Sequence, residues 1–207
     1  MTKKLFLASS AYVVLDRFVE LFGISPATMT VGFIPTAADV YEDKSFVVRD
    51  REKLSALRFQ IIDIHLTDIT KEDLENQLAS VAIIFVAGGN SFYLLEKMRE
   101  SGFDTLILDL VAKGVYYVWS SAWSVVAGLS IEPVKTIDDS TKAPTLENYE
   151  WLHLIDAVIV PHAGHLRYGE GIEKIMEEYA YLGDRIVALT DQEAVLVDGE
   201  IQEIVSC

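Results

Sequence analysis

Three segments of this chain carry residue types that do chemistry, and each directly follows an apolar run. Val118-Trp119-Ser120-Ser121-Ala122-Trp123 closes the run Val115–Trp119. A serine on a sharp strand-to-helix turn presents its hydroxyl as a nucleophile, and the next N–H can donate to a developing oxyanion. Gly-x-Ser-x-Gly is absent, because Trp119 and Trp123 stand at the two flanking positions. Paired serines at a strand end also serve as ordinary N-caps. Ala87-Gly88-Gly89-Asn90-Ser91 closes the run Ala82–Ala87. Two glycines let backbone N–H groups approach a ligand, and Asn90 or Ser91 can cap a helix starting at Phe92. Such N–H groups suit an anion or oxyanion, although a plain tight turn has the same composition. Val160-Pro161-His162-Ala163-Gly164-His165 closes Ala157–Val160 and holds two of the chain's 4 histidines. His162 there can act as a general base, since imidazole titrates near neutral pH. A metal pair would need further ligands at defined spacing, and none is fixed by the sequence. The long segment between serine and histidine supplies Asp138 and Asp139, giving the chain order Ser…Asp…His of α/β hydrolases.

The elements that must position these residues are legible in the hydrophobic pattern. Short apolar runs at Lys4–Ala8, Thr30–Pro35, Gln60–Leu66, Ala82–Ala87, Val115–Trp119, Ala157–Val160 and Ile186–Leu189 lack strict alternation. That is how strands covered on both faces read. Helical patterns lie between them. Glu42–Phe59 has apolar returns at Phe46, Val47, Leu54 and Leu57, and Gly169–Leu182 sets Ile172, Ile175, Met176 and Tyr179 on one stripe. The repetition predicts an α/β fold with a doubly wound, mostly parallel sheet, whose sites lie at the carboxyl ends of strands. Two segments break the rhythm. Glu132–Trp151 reads as a long loop, and Ala194–Val197 and Glu200–Val205 flank Asp198-Gly199 as a β-hairpin.

Composition narrows the function classes. The 207 residues suit a single domain spanning 1–207, and 51% hydrophobic with 24% charged residues describes a well-filled core. Lys and Arg total 17 against 32 Asp and Glu, a net charge of -15 that argues against nucleic-acid or membrane-surface partners. The one cysteine, Cys207, excludes an intrachain disulfide and a Cys-rich zinc site. The apolar run after Lys3-Lys4 is cut off by Asp16 and Arg17, so a buried first strand is expected rather than a secretory signal. A cytoplasmic location follows as the expectation.

Taken together, these blocks resemble the aspartyl dipeptidase (peptidase E) and cyanophycinase family of serine peptidases, which shares the class I glutamine amidotransferase fold. The resemblance covers nearly the whole chain. Phe33-Ile34-Pro35-Thr36-Ala37-Ala38 matches the family's second strand. Val86-Ala87-Gly88-Gly89-Asn90-Ser91-Phe92-Tyr93-Leu94-Leu95 matches its Gly-Gly-Gly-Asn-Thr-Phe-x-Leu-Leu block, and Trp119-Ser120-Ser121-Ala122 its Gly-Trp-Ser-Ala. The resemblance implies Ser121 as nucleophile, His162 as base, and Gly89 and Ala122 as oxyanion donors. Thr136-Ile137-Asp138 resembles the family's Thr-Asn-Asp and implies Asp138 as the acid, with Asp139 as the alternative.

Two departures bear on specificity. Trp123 replaces the family's elbow glycine. The family's Gly-Glu-Thr-Arg, whose arginine is associated with an aspartyl side chain, reads Gly169-Glu170-Gly171-Ile172 here. Arg167 is the nearby substitute, and Asn90 and Arg167 are the candidate substrate contacts. The expectation is a cofactor-free serine hydrolase acting on a small peptide or dipeptide, with self-association as a homodimer a weaker one. The alternative is a degenerate member that binds a small molecule or partner without catalysis.

Overall fold

The computed structural model describes residues 3–121, 127–128 and 130–207. The elements in chain order are β1 (Lys4–Ala8), α1 (Ala11–Leu21), β2 (Thr30–Ile34), α2 (Ser45–Ala56), β3 (Gln60–Asp63), α3 (Lys71–Leu78), β4 (Ile83–Val86), α4 (Ser91–Ser101), α5 (Phe103–Ala112) and β5 (Tyr116–Ser120). After β5 come β6 (Val158–Val160), α6 (Gly169–Glu178), β7 (Ile186–Ala188), β8 (Glu193–Asp198) and β9 (Ile201–Ser206). Seven strands form one sheet in the order β3-β2-β4-β5-β1-β8-β9. The first five run parallel, and β8 and β9 close the edge as the antiparallel hairpin. A mostly parallel sheet flanked by helices, ending in a hairpin, is the architecture the pattern predicts.

Side chains one residue apart on a strand point to opposite faces, so each central strand feeds two cores. Leu5, Leu7, Ile84, Val86, Tyr117 and Trp119 join the cluster on one face. Phe6, Ala8, Ile83, Phe85 and Val118 join the other, where Phe33 stacks on Phe85 with centroids 5.4 Å apart. Burying strands on both faces removes the need for polar alternation, hence the continuous apolar runs. Truncating either phenylalanine to alanine costs about 3–5 kcal/mol by the usual cavity and transfer arguments.

The runs at Ala157–Val160 and Ile186–Leu189 form strands, but not in the main sheet. β6 and β7 pair in parallel with each other as a separate two-stranded sheet. The reason is an occupied edge: β8 takes the side of β1 that a further parallel strand would need. β6 still packs apolar residues into the first cluster. The segment Glu132–Trp151 is an excursion with two short 3-10 turns, Glu132–Thr136 and Ser140–Lys142. It is tied down on α4: Glu96 accepts from Thr145 N and Oγ1 at 2.8 and 2.7 Å, and Arg99 donates to the carbonyls of Asn148 and Glu150. No helix among the described residues is long and apolar enough to cross a membrane.

Candidate active site

Neighbouring parallel strands end at the same sheet edge, so β4, β5 and β1 deliver Gly88-Gly89, Ser121 and Ser9 side by side. Ser121 follows the last residue of β5 and adopts φ 72°, a left-handed conformation costly for any residue with a Cβ. His162, two residues past β6, is likewise left-handed at φ 63°. Strain of this kind persists only where surrounding contacts hold it, and here the two strained residues meet. Ser121 Oγ lies 2.6 Å from His162 Nε2.

On its other side, His162 Nδ1 lies 2.6 Å from Asp191 Oδ1. Asp191 follows β7, whose pairing with β6 brings it beside the imidazole. The acid expected at Asp138, or at its alternative Asp139, is therefore elsewhere in the molecule. Asp138 turns to the start of α4, where its carboxylate accepts from Ser91 N at 2.5 Å, Asn90 Nδ2 at 2.7 Å and the Tyr41 hydroxyl at 3.2 Å. Exposed Asp139 caps its own 3-10 turn through Thr141. The physical reason is a helix N-terminus with unpaired N–H groups, which draws a carboxylate strongly.

A third polar side chain locks the arrangement. Ser9, fully buried, donates from Oγ to Asp191 Oδ1 at 3.1 Å and accepts from His162 N at 2.8 Å. One hydroxyl thus fixes the carboxylate and the imidazole's backbone together. Tyr168 stacks on the His162 ring at 5.1 Å and 24°. The hydrogen bond from His162 holds the Asp191 carboxyl below its ordinary range; partial burial opposes this and the charge of His162 reinforces it. Burial acts the other way on Asp138, raising it against the bonds from Ser91 and Tyr41. Burial is also the main cause that pushes the Tyr41 hydroxyl up to about 12, with the nearby Asp138 charge second.

The glycines are dictated by crowding. A Cβ on Gly89 would stand 2.4 Å from the Ala37 carbonyl, and one on Gly88 would stand 3.1 Å from Ser121 Cβ. Gly88 therefore lies against the serine corner, and Gly89 against Ala37. Ala122 and Trp123 lie outside the described residues. Asn90 is fully buried and its side chain is consumed internally: Oδ1 accepts from Tyr93 N, while Nδ2 donates to Asp138 and to the Asp139 carbonyl. That makes it a bridge between α4 and the 132–151 excursion. Arg167 is exposed, its guanidinium over the Tyr168 ring at 5.5 Å, one residue layer from His162.

Asp191, Ser9 and Tyr168 are missed by the sequence reading. A search for acids at every strand's carboxyl end, not only between serine and histidine, would have reached Thr190-Asp191. A hydroxyl, an imidazole and a carboxylate in line can pass a proton from the hydroxyl to the ring, with the carboxylate steadying the cation formed.

Comparison with known proteins agrees with this architecture. Residues 5–205 match the model of Peptidase family S51. An uncharacterized peptidase of Listeria monocytogenes is 33% identical over 198 residues, covering 96% of both chains. A Drosophila melanogaster protein named "Probable alpha-aspartyl dipeptidase" is 35% identical over 178 residues, covering 83% of this chain and 70% of its own. Peptidase E of Escherichia coli is 28% identical over 130 residues, covering 63% of this chain and 53% of its own. Among solved structures, that of a "Putative Peptidase E Protein" from Listeria monocytogenes superposes over 100% of both chains, with TM-score 0.93 and 30% identity. A peptidase from an acI-B1 Actinobacterium shares the fold at TM-score 0.66 and 14% identity. With a family match spanning nearly its whole length, the chain belongs to peptidase family S51.

Proposed function

We propose that the protein is a serine-type peptidase acting on a small peptide or dipeptide. Ser121 attacks the scissile carbonyl while His162 takes its proton from Oγ through Nε2. The N–H of Gly89, with that of Ala122, receives the oxyanion of the tetrahedral intermediate. His162 then returns the proton to the leaving amine, and water repeats the sequence on the acyl-enzyme. Asp191 keeps the proton on Nδ1, so that Nε2 presents a lone pair to the serine. The observation that carries the reading is the 2.6 Å approach of Ser121 Oγ to His162 Nε2, continued at 2.6 Å to Asp191.

This alignment favours a working enzyme over a binding protein descended from one. The contact between the two strained residues, Ser121 Oγ and His162 Nε2, supports hydrolysis. Relatives named alpha-aspartyl dipeptidase and peptidase E support small peptide substrates. Recognition of an aspartyl side chain would fall to Arg167, since Gly171 and Ile172 stand where the family carries Thr-Arg.

The test is covalent labelling followed by a substrate panel. A fluorophosphonate should add one mass to the protein, mapping to the peptide that contains Ser121, and a dipeptide panel should identify the preferred first residue. An adduct on any other serine, or none, would overturn the assignment.

A further inference from the structure

Behind the serine corner lies a second polar cluster that the proposed chemistry does not use. Asp50, on α2, is 2% exposed, and Ser120, the residue before Ser121, is 4% exposed. Burying a carboxylate and a hydroxyl inside apolar surroundings is costly unless each finds partners. Both find them at the start of α1. Ser120 Oγ accepts from Ala11 N at 3.1 Å, and Asp50 Oδ1 accepts from Tyr12 N at 3.0 Å. The Ser120 hydroxyl in turn donates towards Asp50. The ordinary N-cap, Ser10, makes no side-chain bond to these N–H groups. Two distant residues therefore do the capping of α1, and one of them is bonded in sequence to the nucleophile.

We infer that Asp50 and Ser120 form a latch that fixes the Ser121 corner against the start of α1, which makes Asp50 a positioning residue for the hydrolysis. The inference rests on the reading of Ser121 as nucleophile. Its logic is geometric. Ser121 holds a left-handed φ of 72°, so its backbone relaxes unless the preceding residue is anchored. Ser120 is paired on its backbone with β1 through the Ala8 register and on its side chain with Ala11 and Asp50. Release of that side chain lets the corner turn, and reacting atoms displaced by as little as an ångström lose rate steeply.

The latch has a cost that gives it a signature. Desolvation raises Asp50 to about 7, against the hydrogen bonds from Ser120 and Tyr12 and the charge of Arg49. The groups around it are Arg49 on its own helix, Tyr12 on α1, whose ring lies under the Arg49 guanidinium, and the uncharged Ser120 on β5. A folded value above the unfolded one means that the native state holds the extra proton. Stability from this group is then present at low pH and lost as pH rises towards 7. Above that, the ionised carboxylate is retained at the expense of the fold.

The experiment compares wild type with Asp50→Asn, Ser120→Ala and the double variant at pH 8. It reads the second-order rate of fluorophosphonate labelling, kcat and KM for p-nitrophenyl acetate, and melting temperature. Expected for each single variant is a fall of about tenfold or more in labelling rate and kcat with KM unchanged. The double variant should fall no further, because the two residues act as one unit. Asp50→Asn should also melt higher than wild type at pH 8, so rate and stability move in opposite directions. A residue that only supports the fold would lose both together. Ser120→Ala removes a single oxygen and carries the reading should Asp50→Asn fail to fold. Single variants labelled within about twofold of wild type, or losses that multiply in the double variant, would overturn the latch while leaving Ser121 as nucleophile. Wild type unlabelled at Ser121 would overturn both.

Discussion

Two carboxylates stand near the serine corner, and they differ in what they face. Asp191 shares its proton-bearing partner with the serine corner: it faces an imidazole, is held in place by Ser9, and sits below its ordinary pKa. Asp138 faces amide and phenol donors at the start of α4 and is raised by burial. In the proposed mechanism Asp191 steadies a charge that comes and goes, whereas Asp138 ties the 132–151 excursion to Asn90, Ser91 and Tyr41. What a carboxylate faces, more than its place in the chain, sets which of these it can do.

The largest effect should come from Ser121, the proposed nucleophile. Ser121→Ala is expected to remove nearly all peptidase activity, on the order of 10⁶ in kcat, measured against the preferred dipeptide. Asp191→Asn should follow, with about 10⁴ lost, because the amide favours the wrong imidazole tautomer. Asp138→Asn separates the two carboxylates. Its loss should be smaller, about 10–10² in kcat, because it acts only by loosening Asn90 and Ser91 beside Gly89, the proposed oxyanion donor. Equal losses at the two positions would mean that the two carboxylates serve the reaction alike.

Smaller effects sharpen the contrast. Ser9→Ala leaves the carboxylate and imidazole with one support fewer, and a fall of about tenfold in kcat with KM unchanged is expected. Acid unfolding gives a sign. Asp191 is lowered in the fold, so its contribution to stability is present above the unfolded value of about 3.9 and disappears as pH falls through the lower folded value. Urea midpoints of wild type and Asp191→Asn should accordingly differ at pH 7 and converge on acidification below about pH 4.

The sheet was readable because burial on both faces leaves a plain apolar signature, and Lys4–Ala8 and the hairpin around Asp198-Gly199 stand where the pattern places them. Ser121 and His162, singled out through the family resemblance because serine and histidine at strand ends alone fit caps and turns equally well, meet in the structure at 2.6 Å. Asp191 was not readable. Nothing local in Thr190-Asp191 differs from an ordinary turn, and its meaning arises only from β7 pairing with β6 rather than joining the large sheet. Asn90 was half legible: its capping of α4 was readable in the sequence, whereas its bonds to Asp138 and the Asp139 carbonyl arise only because the 132–151 excursion closes over it. Asp50 was invisible in the same way, since its partners are 38 and 70 positions away in sequence.

The most direct test of the account is the low-field proton NMR signal of the His162 Nδ1–H, which a short bond to a carboxylate shifts far from the other ring protons. That signal should be kept in Asp138→Asn and abolished in Asp191→Asn. A signal that survives Asp191→Asn and vanishes in Asp138→Asn would contradict this.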